Sequence, residues 1–413
     1  MREWGDGNGA FSSGGRGMQL RSLVFVSLLM GTVLPASAEK ATVANLEQII
    51  AENAATTRPA IQHSMDSDEI ADIADSNFLS DDDGRLALRL AGIELEERLS
   101  TLSLYRLAGR YRLGSRAQMA LQQIADRSAL LKLPPSEQMA RAAPDDEAQR
   151  AMLNAARDYV FGKLSHLPDF VATRTTTTFV DAPTPLRLSS PEAAEFHRSD
   201  MVQQEITFRD GKEVLLPATG ALKGQSAETS TAFESRGEFG TQAAVLLMDV
   251  QAGSISFDHW EDTPGGIGAV YQYSVPRTNS HYEVTDHCEG ESSFHDLPGY
   301  HGSIAIAPQS GAILRITLEA DSDKDDPVSH VASVIEYGPV LIGNRRYLCP
   351  LRSLTFMTQK ASGCSQHRRK LQKPISMFNR TIFSNYHRFG SSSTIIYGEV
   401  DGNAADAAVH PNQ

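Results

Sequence analysis

A long succession of β-type segments in the C-terminal two-thirds of the chain limits the possible folds more than any other feature. From Phe170 onward, β-branched and aromatic residues alternate with polar ones in runs that recur about every dozen residues, a pattern typical of antiparallel strands. Tight-turn sequences such as Asp210-Gly211 and Gly343-Asn344 separate neighbouring runs. Because a sheet of this size must protect its edges, we predict one large antiparallel sheet that is curved or closed.

Before this region the periodicity changes to that of helices. Apolar residues recur three and four positions apart, which predicts a helical region over residues 39–135. The apolar stripes lie at 43–50, 86–102 and 116–131. A linker at 136–143 follows, and Pro144 with the acidic residues after it predicts the start of one long helix.

These patterns predict an α+β protein in which a helical N-terminal region and one long helix precede a large, curved, half-barrel-like antiparallel sheet. The long helix and the sheet form one domain at 144–400. A polar tail occupies 401–413, where we expect no ordered structure.

The first 38 residues have the features of a cleaved signal peptide, with Met18 as an alternative start of translation. Arg21 precedes an apolar run at 23–34, and Ala36-Ser37-Ala38 fits a small-residue cleavage site. The apolar run is too short to span a bilayer, which takes about 20 residues. We therefore predict an exported protein, periplasmic or extracellular, with no transmembrane segment in the mature chain.

The composition and the absence of known motifs limit the possible functions. The 38 Lys and Arg residues against 51 Asp and Glu give a net charge of −13, which disfavours nucleic-acid binding because phosphates attract clustered cations. The sequence contains no Gly-x-Ser-x-Gly, His-Glu-x-x-His, Walker A or Gly-x-Gly-x-x-Gly pattern. We predict no cofactor and favour a non-catalytic protein.

One cluster of imidazole and thiol groups is a candidate metal site. Both groups are ligands that suit zinc or copper, but their spacings differ from those of structural zinc sites and acidic residues surround them. An ordinary polar loop explains the same residues. The candidate ligands are His281, His287, Cys288, His295 and His301.

The segment His259-Trp260-Glu261-Asp262 places an imidazole beside two carboxylates at a strand end. A general acid–base pair needs such groups within hydrogen-bonding reach. A strand end whose charges face water explains the same residues, and we expect this simpler arrangement.

Three cysteines in an exported protein allow one disulfide and leave one thiol. We predict the bridge Cys288–Cys349, with Cys364 unpaired. Closing a loop of about 60 residues would stabilise the fold by roughly 4 kcal/mol in the chain-entropy model.

A curved sheet of this length is large enough to enclose an apolar ligand. Inward-facing strand residues would line such a hollow, or they would fill a solid core instead. The candidate lining residues are Phe179, Phe208, Phe257, Tyr271, Ile304, Ile316 and Phe356.

Eight short blocks, found in order along the chain, resemble a family of uncharacterised exported proteins from soil bacteria. The blocks are Leu167–Phe170 with the Thr-rich run after it, Phe208–Glu213, His281–Val284, Gly299–Gly302, Ala312–Arg315, Val334–Val340, Ile342-Gly343 and Tyr347–Pro350. The resemblance implies export and carries no assigned activity.

The architecture is also similar, more distantly, to lipoprotein-carrier and envelope-stress-sensor half-barrels of the LolA and RseB type, whose curved sheet holds acyl chains. We therefore predict an exported, non-catalytic envelope protein that binds a lipid or another apolar ligand in the sheet. Two alternatives remain: a metal-dependent hydrolase that uses the His281–His301 cluster, and a protein-interaction module that acts through the N-terminal helices.

Overall fold

The computed structural model describes eight ranges of the chain. These are residues 39–64, 82–164, 167–181, 196–215, 235–286, 294–323, 326–359 and 374–388. The predicted signal peptide and the polar tail lie outside these ranges.

The N-terminal region folds into four helices and a two-stranded parallel ladder. The elements are β1 (Glu39–Ala41), α1 (Val43–Ser64), α2 (82–91), β2 (Ile93–Leu95), α3 (Thr101–Tyr111) and α4 (Ser115–Arg127). Their apolar stripes meet in one buried cluster around Leu46, Ile50, Leu90, Leu107 and Leu121. The prediction of a helical region is therefore correct in its main feature.

The stripe predicted to be helical at 86–102 is interrupted. Helix α2 ends at residue 91, and Ile93–Leu95 instead pairs in parallel with Glu39–Ala41. Ile93 and Leu95 still enter the same apolar cluster, because a short strand directs alternate side chains to one face much as a helical stripe does. Helical spacing alone could not separate these two outcomes.

The predicted long helix is α5 (Asp146–Asp158), which continues into a π-helical turn at Tyr159–Lys163. Asp145, rather than Pro144, begins it: the Asp145 side chain accepts a hydrogen bond from the Ala148 N–H at 2.8 Å. This satisfies one of the free donors at the helix start. A sixth helix, α6 (Thr241–Asp249), crosses the same side of the sheet.

Ten antiparallel strands form one open sheet in the order β5-β4-β3-β14-β13-β12-β11-β10-β7-β6. The strands are β3 (Phe170–Val180), β4 (His197–Arg209), β5 (Lys212–Leu215), β6 (Ser254–Thr263), β7 (Gly266–Val275), β10 (Tyr300–Ile306), β11 (Ile313–Ala320), β12 (Val328–Ile342), β13 (Arg345–Gln359) and β14 (Ile375–Arg388). A separate hairpin joins β8 (Val284–Asp286) to β9 (Phe294–Asp296). The predicted α+β class with a large antiparallel sheet is confirmed.

The two faces of the sheet are covered by different parts of the chain. On one face, which we call the helix face, Met152 and Ala156 of α5 and Leu246 of α6 pack against strand residues such as Tyr271 and Ile335. On the other, the N-terminal face, Ala129 and Leu130 pack against Val334, Leu354 and Phe356. The sheet is therefore the middle layer of a three-layer structure.

Seven charged side chains lie between the N-terminal region and the sheet, and they alternate in sign. In order they are Arg98, Glu261, Arg315, Glu336, Arg352, Asp126 and Arg380. We call this set the charge ladder. Every member except Arg380 is buried.

The ladder joins residues that are far apart in sequence. Arg352 on β13 donates from Nη1 to Asp126 Oδ1 on α4 at 3.0 Å, and its Nη2 lies 3.2 Å from Glu336 Oε1. Arg98, just before α3, pairs with Glu261 on β6. Cross-strand register supplies the rest, because Arg315, Glu336 and Arg352 are direct neighbours on β11, β12 and β13.

Electrostatics within the ladder keep its acidic members at β6 and β12 ionised. Burial opposes ionisation of Glu261, but Arg98 and Arg315 outweigh it and lower the pKa of Glu261 to about 2. Burial likewise opposes ionisation of Glu336, whose pKa is nevertheless lowered, chiefly by Arg352. The pKa of Asp126 is raised, because its complete burial outweighs Arg352 and Arg380.

Replacing Arg352 should destabilise the fold strongly. Arg352→Met would leave two buried carboxylates without their shared cation, which costs about 3–5 kcal/mol for a broken buried pair. Urea unfolding monitored by circular dichroism would measure the loss. Arg346→Met, an exposed position on the same strand, is the matched control, and a similar small effect of both variants would contradict the prediction.

A second prediction concerns the contact between α5 and the sheet. Gly311 has φ +70°, and a Cβ there would fall on the backbone of Ala155 in α5. Gly343 has a similar φ of +65° but open space around it. We expect Gly311→Ala to lower the free energy of unfolding by at least about 2 kcal/mol more than Gly343→Ala. Both variants carry the backbone strain of an alanine at positive φ, but only the Cβ at position 311 overlaps with other atoms. Equal losses in urea unfolding would refute this.

Candidate functional site

The side chains on the helix face change character midway across the sheet. One row of directly paired residues runs Tyr271, Ile304, Ile316 and Ile335 on β7, β10, β11 and β12. The same row continues as Ser353, Thr381 and Thr176 on β13, β14 and β3. Large apolar groups therefore give way to small polar ones along a single line.

The neighbouring row shows the same change, so the small polar residues form a patch two rows wide. We call it the polar strip. Its members are Ser333, Ser353, Thr355, Asn379, Thr381, Thr176 and Thr178, of which all but Thr176 are buried.

Most of the strip's polar groups bond to one another. The Thr176 and Thr381 hydroxyls are 3.0 Å apart, and Thr178 Oγ1 donates to Asn379 Oδ1 at 2.8 Å. Ser333 Oγ, which is fully buried, has no hydrogen-bond partner in the part of the chain that the structure describes. An unpaired buried hydroxyl costs free energy, and a bound polar group would remove that cost.

Two carboxyl groups and one guanidinium lie beside the strip. Arg174 comes from β3, Glu213 from the edge strand β5, and Glu238 from the segment just before α6. Ser353 Oγ of the strip donates to Glu238 Oε1 at 3.2 Å, and Arg174 Nη2 lies 4.0 Å from the same oxygen. We call Arg174, Glu213 and Glu238 the carboxyl cluster.

The backbone around Glu238 is fixed on both sides. Tyr337 donates from its hydroxyl to the Glu238 carbonyl at 2.9 Å, and Arg174 Nη2 donates to the Ser235 carbonyl at 3.0 Å. Gly237 takes φ +91°, a conformation that a side chain would strain. These contacts hold the Glu238 carboxyl group in a buried position.

Burial raises the pKa of both carboxyl groups. For Glu238 it outweighs the opposing effect of Arg174. For Glu213, burial and then the neighbouring Glu238 raise the pKa to about 7, against Arg174 and the backbone N–H groups of Phe239 and Gly237. Near neutral pH the cluster therefore retains a proton.

The cluster also has unused hydrogen-bonding capacity. Glu238 Oε2 and Arg174 Nε are both buried and have no hydrogen-bond partner within the described ranges. Buried polar atoms are paired in most native proteins. Ser333 Oγ is a third unpaired atom on the helix face, whereas the unpaired Nε atoms of Arg98, Arg315 and Arg352 lie in the charge ladder on the N-terminal face.

The seven residues predicted to line a hollow do not share one surface. Phe257, Tyr271, Ile304 and Ile316 lie on the helix face, where α5 and α6 pack directly against them. Their packing with these helices is that of a core. Whether any of them contacts a ligand stays a prediction.

The other three predicted lining residues pack in other clusters. Phe208 stacks on Phe170 in a separate cluster at 5.2 Å between ring centroids. Phe179 and Phe356 belong to the N-terminal face, in one row with Phe378, and Phe179 stacks on Phe378 at 4.7 Å. Strand alternation assigns residues to two faces but does not say which face of one strand matches which face of another, so the sequence could not separate these groups.

The histidine cluster does not converge either. His281 Nδ1 lies 2.6 Å from Asp249 Oδ1, His295 Nε2 is 3.0 Å from Glu283, and His301 Nδ1 is 2.9 Å from Asp321. Each described histidine thus has its own carboxylate. Among the described residues no three His, Cys, Asp or Glu side chains are placed to hold a metal ion; His287 and Cys288 lie outside them.

The predicted disulfide has no support from the structure. Cys349 is fully buried with a free thiol, and burial raises its pKa to about 12. Its predicted partner Cys288, like Cys364, lies outside the described residues. A thiol held neutral in this way behaves as a small apolar side chain.

The strand end at His259–Asp262 differs from the expectation of charges that face water. Glu261 is buried in the charge ladder, and His259 Nε2 lies 3.4 Å from its Oε2 while His259 Nδ1 lies 3.1 Å from Asp258 Oδ2. Burial opposes protonation of His259, but hydrogen bonds to Glu261 and Asp258 raise its pKa. We interpret His259 and Glu261 as structural, because the Glu261 carboxylate already pairs with Arg98.

Sequence analysis missed the carboxyl cluster. The available signal was Arg174, because it is a charged residue on a strand face of β3 whose neighbouring positions, Ala172 and Thr176, are uncharged. Glu213 and Glu238 follow or precede glycine-containing turns, and such positions normally face solvent.

Comparison with known proteins gives no match to a family model, a curated protein or a solved structure. The resemblance to exported proteins of soil bacteria and the similarity to carrier half-barrels therefore stay predictions. None of the helices in the described ranges has both the length and the apolar composition needed to cross a membrane.

The raised pKa of Glu213 predicts a pH-dependent stability. Its ordinary pKa of 4.5 rises to about 7 on folding, so the native state binds this proton more tightly than the unfolded state. The contribution of Glu213 to the free energy of unfolding is then greatest below about pH 4.5 and falls by up to about 3 kcal/mol as the pH rises through 7. Glu213→Gln should remove this component.

Urea unfolding at pH 5 and pH 8 would measure it as the difference between the wild type and Glu213→Gln. The matched control is Glu205→Gln, an exposed glutamate on β4, which should behave like the wild type. If Glu213→Gln keeps the full pH dependence, the carboxyl group does not hold a proton at neutral pH.

Proposed function

We propose that this chain is an exported, non-catalytic protein of the cell envelope that binds a lipid or a similar, largely apolar molecule. The ligand lies on the helix face of the sheet, over the polar strip. The observation that carries the proposal is the change from large apolar to small polar side chains along one row, with unpaired buried polar atoms beside it.

The surroundings of the strip favour an amphiphile over a fully polar ligand. On one side lies the apolar cluster of Ile316, Ile335 and the helices α5 and α6. On the other, Val331 packs with Met357 and other apolar groups. Small side chains leave more room than large ones, and apolar walls with a few placed polar groups are typical of ligand sites.

The hydrogen bonds of the strip favour binding over catalysis. The hydroxyls of Thr176, Thr381, Thr178 and Ser353 bond to one another, to an amide or to the Glu238 carboxyl group. Nucleophilic catalysis needs a hydroxyl in contact with a general base such as imidazole. The rings of His281, His295 and His301 contact carboxylates rather than these hydroxyls.

The signal peptide predicted from the sequence supports the proposed location. An exported carrier encounters its ligand in an aqueous compartment where free lipid is scarce, so it retains the ligand through purification. Apolar burial at about 25 cal/mol per Å² makes such retention plausible for one acyl chain.

We expect gently purified protein to carry lipid that organic extraction and mass spectrometry detect in a stoichiometric amount. Thr381→Leu would fill the strip and should reduce the bound lipid at least about tenfold, which corresponds to 1.4 kcal/mol. Ser256→Leu, an exposed site on β6, is the control and should retain the wild-type amount.

Thr381→Val, which removes only the hydroxyl, tests whether the first variant acts through folding or through volume. It should keep more ligand than Thr381→Leu at equal thermal stability. Wild-type protein that yields no lipid or other apolar molecule in the extract would refute the proposed function.

A further inference from the structure

We infer that the polar group of the ligand is a primary amine, bound as an ammonium ion between the carboxyl groups of Glu213 and Glu238. The inference rests on the proposed function and specifies the chemistry of its site. It excludes ligands whose polar group is an anion, such as a free fatty acid.

The first step is a count of charges. The cluster contains two carboxyl groups and one guanidinium, that of Arg174, and both Glu238 and Arg174 are buried. Buried charges need partners because desolvation is unfavourable. With both carboxyl groups ionised the cluster lacks one positive charge, which a ligand ammonium would supply.

The second step is the geometry of the unused atoms. Arg174 Nη2 already donates to the Ser235 carbonyl, and it lies 4.0 Å from Glu238 Oε1, beyond hydrogen-bonding distance. Glu238 Oε2 has no partner within the described ranges. The site therefore presents an unused carboxylate oxygen, which calls for a donor such as an N–H group, and an unused Arg174 Nε–H, which calls for an acceptor.

The hydroxyls of Ser353 and Ser235 bond to the Glu238 carboxyl group, yet its Oε2 has no hydrogen-bond partner within the described ranges. The groups that face the cluster from other strands are Tyr337, Tyr386 and Cys349. Tyr337 and Tyr386 donate from their hydroxyls to backbone carbonyls, those of Glu238 and Pro350. All three are neutral at ordinary pH, because burial raises their pKa values.

The third step is the exchange of a proton for the ligand. In the free protein the missing positive charge is replaced by a proton on the carboxyl pair. When the ammonium enters, that proton leaves to water, the carboxylate forms, and the N–H groups of the ligand bond to it. Binding of an amine therefore releases up to one proton, whereas binding of an alcohol releases none.

Isothermal titration calorimetry of the full chain can test this with three probes that share one alkyl chain: dodecylammonium, dodecanol and dodecanoate, each below its micelle concentration. We expect dodecylammonium to bind at least tenfold more tightly than dodecanol at pH 7.5, and dodecanoate to bind most weakly. Titration in phosphate and in Tris, which differ in ionisation enthalpy, gives the number of protons released. The amine's affinity should rise between pH 6 and pH 8.

Glu213→Gln supplies the matched variant, because it keeps the shape of the side chain and removes its charge. It should lower the preference for the amine over the alcohol to less than threefold and abolish proton release. Glu205→Gln should keep the wild-type preference.

The outcomes separate the inference from the proposed function. Equal binding of amine and alcohol without proton release would overturn the inference and leave the binding function standing. Preference for dodecanoate would overturn it as well. If none of the three probes binds, both the amine inference and the proposed lipid-binding function fail.

Discussion

The charge ladder is the interaction on which the arrangement of this protein depends. Arg98, just before α3, pairs with Glu261 on the sheet, and Asp126, in α4, pairs with Arg352. Arg352 in turn pairs with Glu336. Buried ion pairs add little stability over apolar packing, but a broken pair is strongly unfavourable. A shift of the helices by one residue would leave several charges unpaired, so the ladder fixes their position. Without the N-terminal helices, Glu261 and Arg352 of the sheet would lose Arg98 and Asp126 as partners.

With one face of the sheet committed to this interface, the opposite face is where we propose that the ligand binds. Helices α5 and α6 cover its apolar half around Tyr271 and Ile335. Over β13, β14 and β3 the inward side chains are small and polar, and the carboxyl cluster adjoins them. The two faces thus use buried charge differently. On the N-terminal face four arginines alternate with three carboxyl groups, whereas on the helix face two carboxyl groups share a single guanidinium.

Parts of the fold could be predicted because they follow from local patterns. Alternation from Phe170 onward indicated the strands, Asp210-Gly211 indicated the hairpin between β4 and β5, and acids after Pro144 indicated α5. The candidate site was harder to predict from the sequence. Phe179 and Phe208 both read as inward-facing, yet they occupy opposite faces, because Phe208 pairs with Phe170, and Phe170 and Phe179 are an odd number of positions apart on the alternating strand β3. Glu238 and Glu213 had no signal that distinguished them from solvent-exposed turn residues.

The sequence by itself determined the class of the protein: hydrophobic periods of two and of 3.6 are local properties, and they select strands and helices without knowledge of the partners. Only the tertiary structure decided which charges are buried. Arg352 meets Asp126, and Arg174 meets Glu238, across more than sixty positions of the chain, and no local pattern records such a pairing. The pKa of a carboxyl group depends on what surrounds it in space, so the proton on Glu213, and with it the proposed chemistry of the site, emerges only once the strands are in register.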